Sequence, residues 1–412
     1  LDIYYLKQDR TPHLSHLVEQ LGLVDKQPFT VDLNWQCDAV LNSFLRSLAA
    51  PGSPSPNTWR AYAEQLSLFF RFLIKREKTW RNASSEDWMV YYRLRRIQPG
   101  SLQISSSSWN VFAAALRRFY EWAKQEGHLK YVPFDYTTKL SPGPYPNQTS
   151  HILSTNLKER TRRKDIKYMT EHDFLEIYLP RIMATKEGLR NALFVRLLFR
   201  TGLRAQEAAT IKLSMLPDPD SIFFKDLNTC PLTVLGKGNK ERTVRVPKSW
   251  LRDVRRYIEW DRADAINRRR ASRLKRSADI NDEDFLFLTS LGRPATYSAF
   301  YKMMRVAGDG SGFSFKAHPH MLRHSYAIYT LSGMIRHMLA RQTVPIHSRS
   351  EAYKRMVYDP LRVLSRLMGH ASVMTTFIYL DYVDEITDMI DISNDCEGFE
   401  IDERALSGEQ TE

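Results

Sequence analysis

One interruption organises the chain. From Tyr131 to about Asn156 helical periodicity stops and Pro, Gly, Ser and Asn accumulate, as in LSPGPYPNQTS (Leu140–Ser150). A chain of 412 residues that is 43% hydrophobic can bury more than one core, so the break reads as a boundary between two domains. The expected division is an N-terminal segment of uncertain role (1–35), a helical domain (36–130), a linker (131–168), a second domain (169–392) and an acidic tail (393–412).

The first block is helical by its spacing. After APGSPSPNT (Ala50–Thr58), Trp59, Tyr62, Leu66, Phe69 and Leu73 recur at steps of three and four, one face of a helix, with Arg60, Arg71, Lys75 and Arg76 largely off it. A second helix follows ISSSS (Ile104–Ser108), with Trp109, Phe112, Leu116 and Phe119 inward and Arg117, Arg118 and Lys124 toward solvent. Taken alone, both read as ordinary packed helices sooner than as a grip on nucleic acid.

The second block begins near MTEHDF (Met169–Phe174), where Thr170 and Asp173 have the spacing of a capping box. A helix through NALFVRLLFR (Asn191–Arg200) stops at Gly202, and another starts in LRAQEAATIKL (Leu203–Leu213). SIFFKD (Ser221–Asp226), LTVLGKG (Leu232–Gly238) and ERTVRVP (Glu241–Pro247) read as a three-stranded patch, after which helix resumes. The fold class is mainly α with a small antiparallel β-sheet. No internal repeat is visible.

Charge narrows the partner. Residues 381–412 carry twelve acids and one arginine, so the overall +13 conceals +24 on the rest of the chain. That excess suits a polyanion, and DNA, RNA and an anionic membrane surface all remain open on charge alone. Two basic runs, KERTRRKDIK (Lys158–Lys167, with Arg160, Arg162, Arg163 and Lys164) and NRRRASRLKR (Asn267–Arg276), read first as solvated faces. No stretch approaches a bilayer span, since even ALFVRLLF contains Arg196, and no leader pattern follows Leu1. Cys37, Cys230 and Cys396 are far apart without a CxxC pair, which fits a reducing cytoplasm and suggests neither a disulfide framework nor a zinc site.

Four stretches carry candidate chemistry. In RTGLRAQE, Arg204 follows a glycine turn at a helix start, where free N–H groups and the helix dipole favour an anion, and Glu207 stands one turn on to orient it. In GKGNKER, Lys237 sits between two glycines at a hairpin tip. In HPHMLRHSY (His318–Tyr326), three histidines either bind a metal or, through His320 and Arg323 at i and i+3, address one phosphate. Pro319 separates the first two histidines and no HExxH pattern is present, which weighs against metal. LMGHASVMTTFIYLDY places His370 after Gly369 and Tyr379 nine residues later.

Taken in order, R-x-x-E at Arg204 and Glu207, the hairpin Lys237, H-x-x-R-H from His320 to His324, Gly369-His370 and T-T-x-x-Y ending at Tyr379 resemble the tyrosine recombinase (phage integrase) family. The resemblance covers about 170–390 firmly and the helical block at 35–130 more loosely. It implies a two-domain DNA clamp: a helical core-binding domain plus a mixed α/β catalytic domain. It also implies that Arg204, His320, Arg323 and His370 surround the scissile phosphate, with Glu207 and His324 in support. Tyr379 would attack to form a 3′-phosphotyrosine, and Lys237 would protonate the leaving 5′-oxygen. The implied partner is double-stranded DNA, with a homotetramer on synapsed DNA, a monomer when free, and accessory DNA-bending proteins. No metal or other cofactor is implied. Arg60, Arg117, Arg118, Arg160, Arg162, Arg163 and Lys164 become candidate DNA contacts, and the location becomes the nucleoid of a cytoplasm.

Elementary chemistry fits these roles. A phenol of pKa about 10 is only about 0.1% ionised at neutral pH, so a tyrosine nucleophile needs a base and nearby positive charge. Well-placed donors on the phosphoryl oxygens contribute roughly 3 kcal/mol each. The expected activity is that of a site-specific recombinase, an integrase or transposase of a mobile element. A type IB topoisomerase or resolvase, and a DNA-binding regulator without catalysis, are the alternatives. One departure stands out: Gly369 follows Arg323 by 46 positions, about twice the family's spacing, which marks an insertion around 335–362. Tyr382 is the fallback nucleophile.

Overall fold

The computed structural model describes residues 1–6, 20, 22–32, 35–50, 55–100, 102–142, 149–160, 165–236, 241–271, 284–340, 360–370 and 372–383. Lys237, Arg162, Arg163, Lys164, most of the insertion and the acidic tail lie outside them. Two compact units emerge, Leu1–Lys164 and Asp165–Glu412.

In the first unit, β1 (Asp2–Tyr5) pairs antiparallel with β2 (Pro28–Val31), and four helices follow: α1 (Ala39–Ser47), α2 (Pro56–Ile74), α3 (Ser85–Tyr92) and α4 (Ser106–Gln125). Residues from the segment of uncertain role thus belong to this unit: Arg71 of α2 bonds the Leu1 carbonyl and, at 2.8 Å, the Asp2 carboxylate. The periodic residues do what their spacing requires. Trp59, Leu66, Phe69 and Leu73 of α2, and Trp109, Phe112, Leu116 and Phe119 of α4, are all buried in one aromatic-rich core. Burying each such side chain stabilises the fold by about 1.5–3 kcal/mol. Asp38 caps α1 by accepting from the Val40 and Leu41 N–H groups and also receives the Trp80 indole at 2.7 Å; a cap of this kind is worth about 1 kcal/mol.

The segment that reads as a linker is ordered differently. Tyr136–Pro142 (β3) and Thr149–Thr155 (β4) form an antiparallel hairpin, and Trp109 donates its indole N–H to the Leu157 carbonyl at 2.7 Å, tying the hairpin's exit to the first core. Proline and glycine near the tip obscure the β-branched and aromatic residues of Tyr136–Thr138, which favour a strand.

The second unit is built around α5 (Gly188–Thr201), whose residues from Arg190 to Phe199 are buried on nearly every side, as a central helix requires. After α6 (Ala205–Ala209), β5 (Thr229–Leu235) pairs with β6 (Glu241–Pro247) in full antiparallel register. The sheet has two strands among the described residues, because Ile222–Phe224 turns as a 3-10 helix with Ile222 and Phe223 80% and 85% exposed. Next come α7 (Lys248–Tyr257) with its continuation through Ala263–Ala271, α8 (Tyr297–Gly308), α9 (Pro319–Ala340) and α10 (360–368). Phe194 of α5 stacks on Phe300 of α8, and Trp250 of α7 donates to the Leu193 carbonyl at 2.9 Å. A smaller core joins Ala327, Ile328 and Leu331 of α9 to Leu361, Leu364 and Met368 of α10, and includes Tyr379. Among the described residues no helix is long and apolar enough to cross a membrane.

Candidate active site

The site begins where α5 stops. Gly202 adopts φ +61°, and a Cβ there would lie 2.2 Å from the Tyr326 ring, so both the backbone twist and the close approach require glycine. The chain restarts at once as α6, with Arg204 at its N-cap. Glu207 accepts the Arg204 backbone N–H at 2.9 Å with one oxygen and the Arg204 guanidinium at 2.8 Å with the other. The carboxylate holds this arginine in place, as the spacing leads one to expect.

A second cation joins from β6. Val244 and Val246 face the core, and Arg242 shares their side of the strand, so its guanidinium points into the protein. It donates to Glu207 at 2.5 Å and to the Leu367 carbonyl. Glu207 is 6% exposed. Burial raises its pKa, but the Arg204 N–H and the Arg242 and Arg204 guanidiniums outweigh this and hold it below the ordinary carboxylate value.

The C-terminus of α10 supplies the acceptors. Its last carbonyls have no partner within the helix and carry the negative end of the helix dipole. Arg242 takes Leu367, Arg323 takes Met368 and, across the site, Gly202, and Arg204 takes Gly369 at 3.1 Å. Gly369 closes the helix at φ +62°, and a Cβ there would press on the Arg242 side chain at 3.0 Å. His370 follows, with its N–H on the Ser365 carbonyl and its Nδ1 2.9 Å from the buried Thr376 hydroxyl. That leaves Nε2 as the nitrogen open to a ligand.

Tyr379 lies on the 3-10 turn Phe377–Tyr379 and is 2% exposed. Its hydroxyl is 3.0 Å from His324 Nδ1, and its ring lies parallel to His370 with centroids 6.4 Å apart. Burial pushes the phenol up to about 12, against the opposing pull of Arg323. Tyr382 is committed elsewhere: its hydroxyl accepts the Ile166 N–H at 2.7 Å, and its ring meets Tyr168 edge-on.

Among the described residues the cluster is cationic: Arg204, Arg242 and Arg323 face one carboxylate, Glu207, which leaves two positive charges in excess when the histidines are neutral. Arg323, 5% exposed, is lowered to about 10 by burial and by Arg204 and Arg242. His370 falls to about 4 through burial and the same three arginines, and His324 to about 4 through burial and His320, His318, Arg323 and His370. His320 is lowered by burial, Arg323 and Arg204. Neutral imidazoles beside guanidiniums whose charge exceeds that of Glu207 form a site that gains stability from a bound anion.

Six residues singled out by sequence thus meet around one point or its wall: Arg204, Glu207, Arg323, His324, His370 and Tyr379, with His320 beside His324 at a 6.4 Å ring separation. Among the described residues no three His, Cys, Asp or Glu side chains converge as a metal site. In the first unit Arg60 is paired with Glu64 and Arg117 with Glu121, each at 2.8 Å, while Arg118 and Arg160 are exposed. One participant escapes a motif reading: Arg242 betrays itself only as a charge in the inward register of a strand. Thr376 lies within T-T-x-x-Y, but its bond to His370 is set by the fold.

Residues 167–385 match the phage integrase family, and residues 41–127 match the SAM-like N-terminal domain found with it. The chain belongs to the phage integrase family, the tyrosine recombinases. Similar family members include the tyrosine recombinase XerD of Listeria monocytogenes, 25% identical over 82% of this chain and 93% of that protein. XerD of Rickettsia bellii is 26% identical over 82% and 92%. XerC of Roseiflexus is 25% identical over 82% and 88%. The fold is shared with XerH site-specific recombinase in a post-cleavage complex with difH substrate, with a TM-score of 0.53 at 18% identity, covering 87% of this chain and 85% of that one. A lambda integrase dimer on a COC′ core site gives a TM-score of 0.50 at 14% identity, covering 95% and 84%.

Proposed function

We propose that this protein is a site-specific DNA recombinase, an integrase or transposase of a mobile element, acting through a 3′-phosphotyrosine. The observation that carries the reading is a buried tyrosine, Tyr379, in one cluster with Arg204, Arg323 and His370, all held by backbone or side-chain contacts before any substrate arrives. The phosphodiester anion occupies the cationic centre, where fixed guanidiniums and the His370 Nε2 stabilise the charge that develops on its oxygens. His320 joins them from the start of α9. Tyr379 oxygen bonds to phosphorus as the bond to the 5′-oxygen breaks, and Lys237 protonates the leaving oxygen. The phosphotyrosine conserves the bond energy, so the strand can be rejoined to a new partner without ATP.

Double-stranded DNA is the partner, and the +24 on residues 1–380 supplies the long-range attraction. Arg118 and Arg160 are exposed for backbone contacts. Tetramers form on synapsed sites, with accessory bending proteins where the sites need them, and the free protein is monomeric. Relatives named as tyrosine recombinases support the reading, as does a fold shared with recombinases solved on DNA.

The test uses nicked duplexes selected from a random-sequence pool by binding to the protein, so that cleavage loses a short fragment and traps the covalent complex. The wild-type protein is expected to give a band that survives denaturation, and Tyr379→Phe to bind the same duplexes without it. Binding with no covalent band in the wild type would refute the reading.

A further inference from the structure

The phenol of Tyr379 needs somewhere to send its proton, and among the described residues its hydroxyl has one hydrogen-bond partner. His324 Nδ1 stands 3.0 Å away, with the two rings 5.8 Å apart. A buried O–H without an acceptor is costly, so the phenol donates and Nδ1 accepts, which fixes the Nε2–H tautomer of His324. His370 has other commitments: its Nδ1 is engaged by Thr376 at 2.9 Å, and its Nε2 serves the phosphodiester in the function proposed above. His320 lies a further ring away, 6.4 Å from His324.

We propose that His324 is a catalytic residue, the general base that removes the Tyr379 proton as the nucleophile attacks. The inference rests on the reading of Tyr379 as nucleophile. The phenolic O–H bond breaks and its proton moves to His324 Nδ1. The oxygen electron pair forms the bond to phosphorus, and the 5′-oxygen leaves with the electrons of its own bond and takes a proton from a different group. In the reverse step the imidazolium returns its proton to the phenol.

The surroundings make this base conditional. Burial, His320 at the start of the same helix, His318 just before it, Arg323 beside it and His370 from the turn after α10 disfavour a positive imidazole, and among the described residues Glu207 is the carboxylate of the adjoining Arg204 and Arg242 cluster. A phosphodiester anion in the site offsets that field and makes His324 more basic when DNA is in place. A free protein with no anion bound keeps its nucleophile protonated.

Single-turnover formation of the covalent complex on the selected nicked duplexes tests this, with His324→Ala and His324→Asn. Asparagine places an acceptor near the Nδ1 position but cannot take a proton. Both variants are expected to be slower by about 100-fold or more at unchanged affinity, with a rate that climbs with pH because hydroxide must replace the base. A duplex with sulfur at the bridging 5′ position, whose leaving group needs no proton, is expected not to rescue either one. Full activity of His324→Asn would make the residue a positioning group, rescue by sulfur would move it to the leaving group, and either overturns the proposal. As a check independent of folding in the variants, the long-range proton–nitrogen NMR spectrum of the wild type is expected to show His324 Nδ1 unprotonated, and a protonated Nδ1 in the neutral ring contradicts the assignment. Should the wild type itself form no covalent complex, the reading of Tyr379 falls and takes this inference with it, whereas a reactive wild type with unimpaired variants sinks the role of His324 alone.

Discussion

Arg242 and Glu207 meet at 2.5 Å although 35 residues separate them, and this contact binds the hairpin to the helix start that carries Arg204. Removing Arg242 is costly because the buried Glu207 keeps only Arg204 as its counter-charge and the Leu367 carbonyl loses its donor. Arg242→Ala is expected to lower stability by about 2–3 kcal/mol in urea unfolding, and to slow covalent complex formation more than it weakens DNA binding. A variant as stable and as fast as the wild type would show that Arg242 is a bystander.

Gly369 tests the local geometry. Its φ of +62° is unfavourable for alanine, and the added Cβ meets Arg242 at 3.0 Å. Gly369→Ala is expected to lose about 1–2 kcal/mol of stability. It also displaces the carbonyl that Arg204 grips, so the cleavage rate should fall by more than the stability loss alone implies. Equal rates per folded molecule would mean that Arg204 is positioned without that carbonyl.

Acid should weaken the fold before its carboxylates titrate. His324 and His370 sit at about 4 in the folded protein against about 6.5 in an unfolded chain, so the unfolded state binds more protons between those values. Stability is therefore full above about pH 6.5, declines as the pH falls, and levels off for these groups below about 4. Their joint contribution is on the order of 2 kcal/mol once solvent screening is allowed for. Glu207 is held low, so its own contribution persists to still lower pH. Urea midpoints measured from pH 7.5 to 4 should fall in this way, with a shallower fall in His324→Asn; a flat profile would contradict the buried, neutral histidines.

Much of the site was legible because its residues lie in short, ordered motifs. Arg204 and Glu207 are one helical turn apart, His320 and His324 likewise, and local geometry suffices to relate them. Arg242 was not legible from a motif, since its meaning depends on Glu207 and on the end of α10, both distant in sequence. The fold shows the same division. Helices with a clear apolar stripe were readable, whereas SIFFKD has strand composition but turns as a 3-10 helix because tertiary context overrides local preference. In the apparent linker the reverse holds, with Pro and Gly between Tyr136–Thr138 and Thr149–Thr155 masking two paired strands.

Tyr382 provides a contrast to the nucleophile. Its hydroxyl accepts the Ile166 N–H at 2.7 Å, so Tyr382→Phe is expected to lose about 1 kcal/mol of stability while still forming the covalent complex. Loss of the complex with intact folding would transfer the chemistry to Tyr382.

The central claim is that Tyr379 is the group joined to DNA. The covalent complex trapped on the selected nicked duplexes can be digested with nuclease and trypsin and the nucleotide-bearing peptide sequenced by mass spectrometry. The nucleotide is expected on Tyr379, linked through a 3′-phosphate. A modification on Tyr382 or on any other residue, or a 5′-phosphate linkage, would contradict the account.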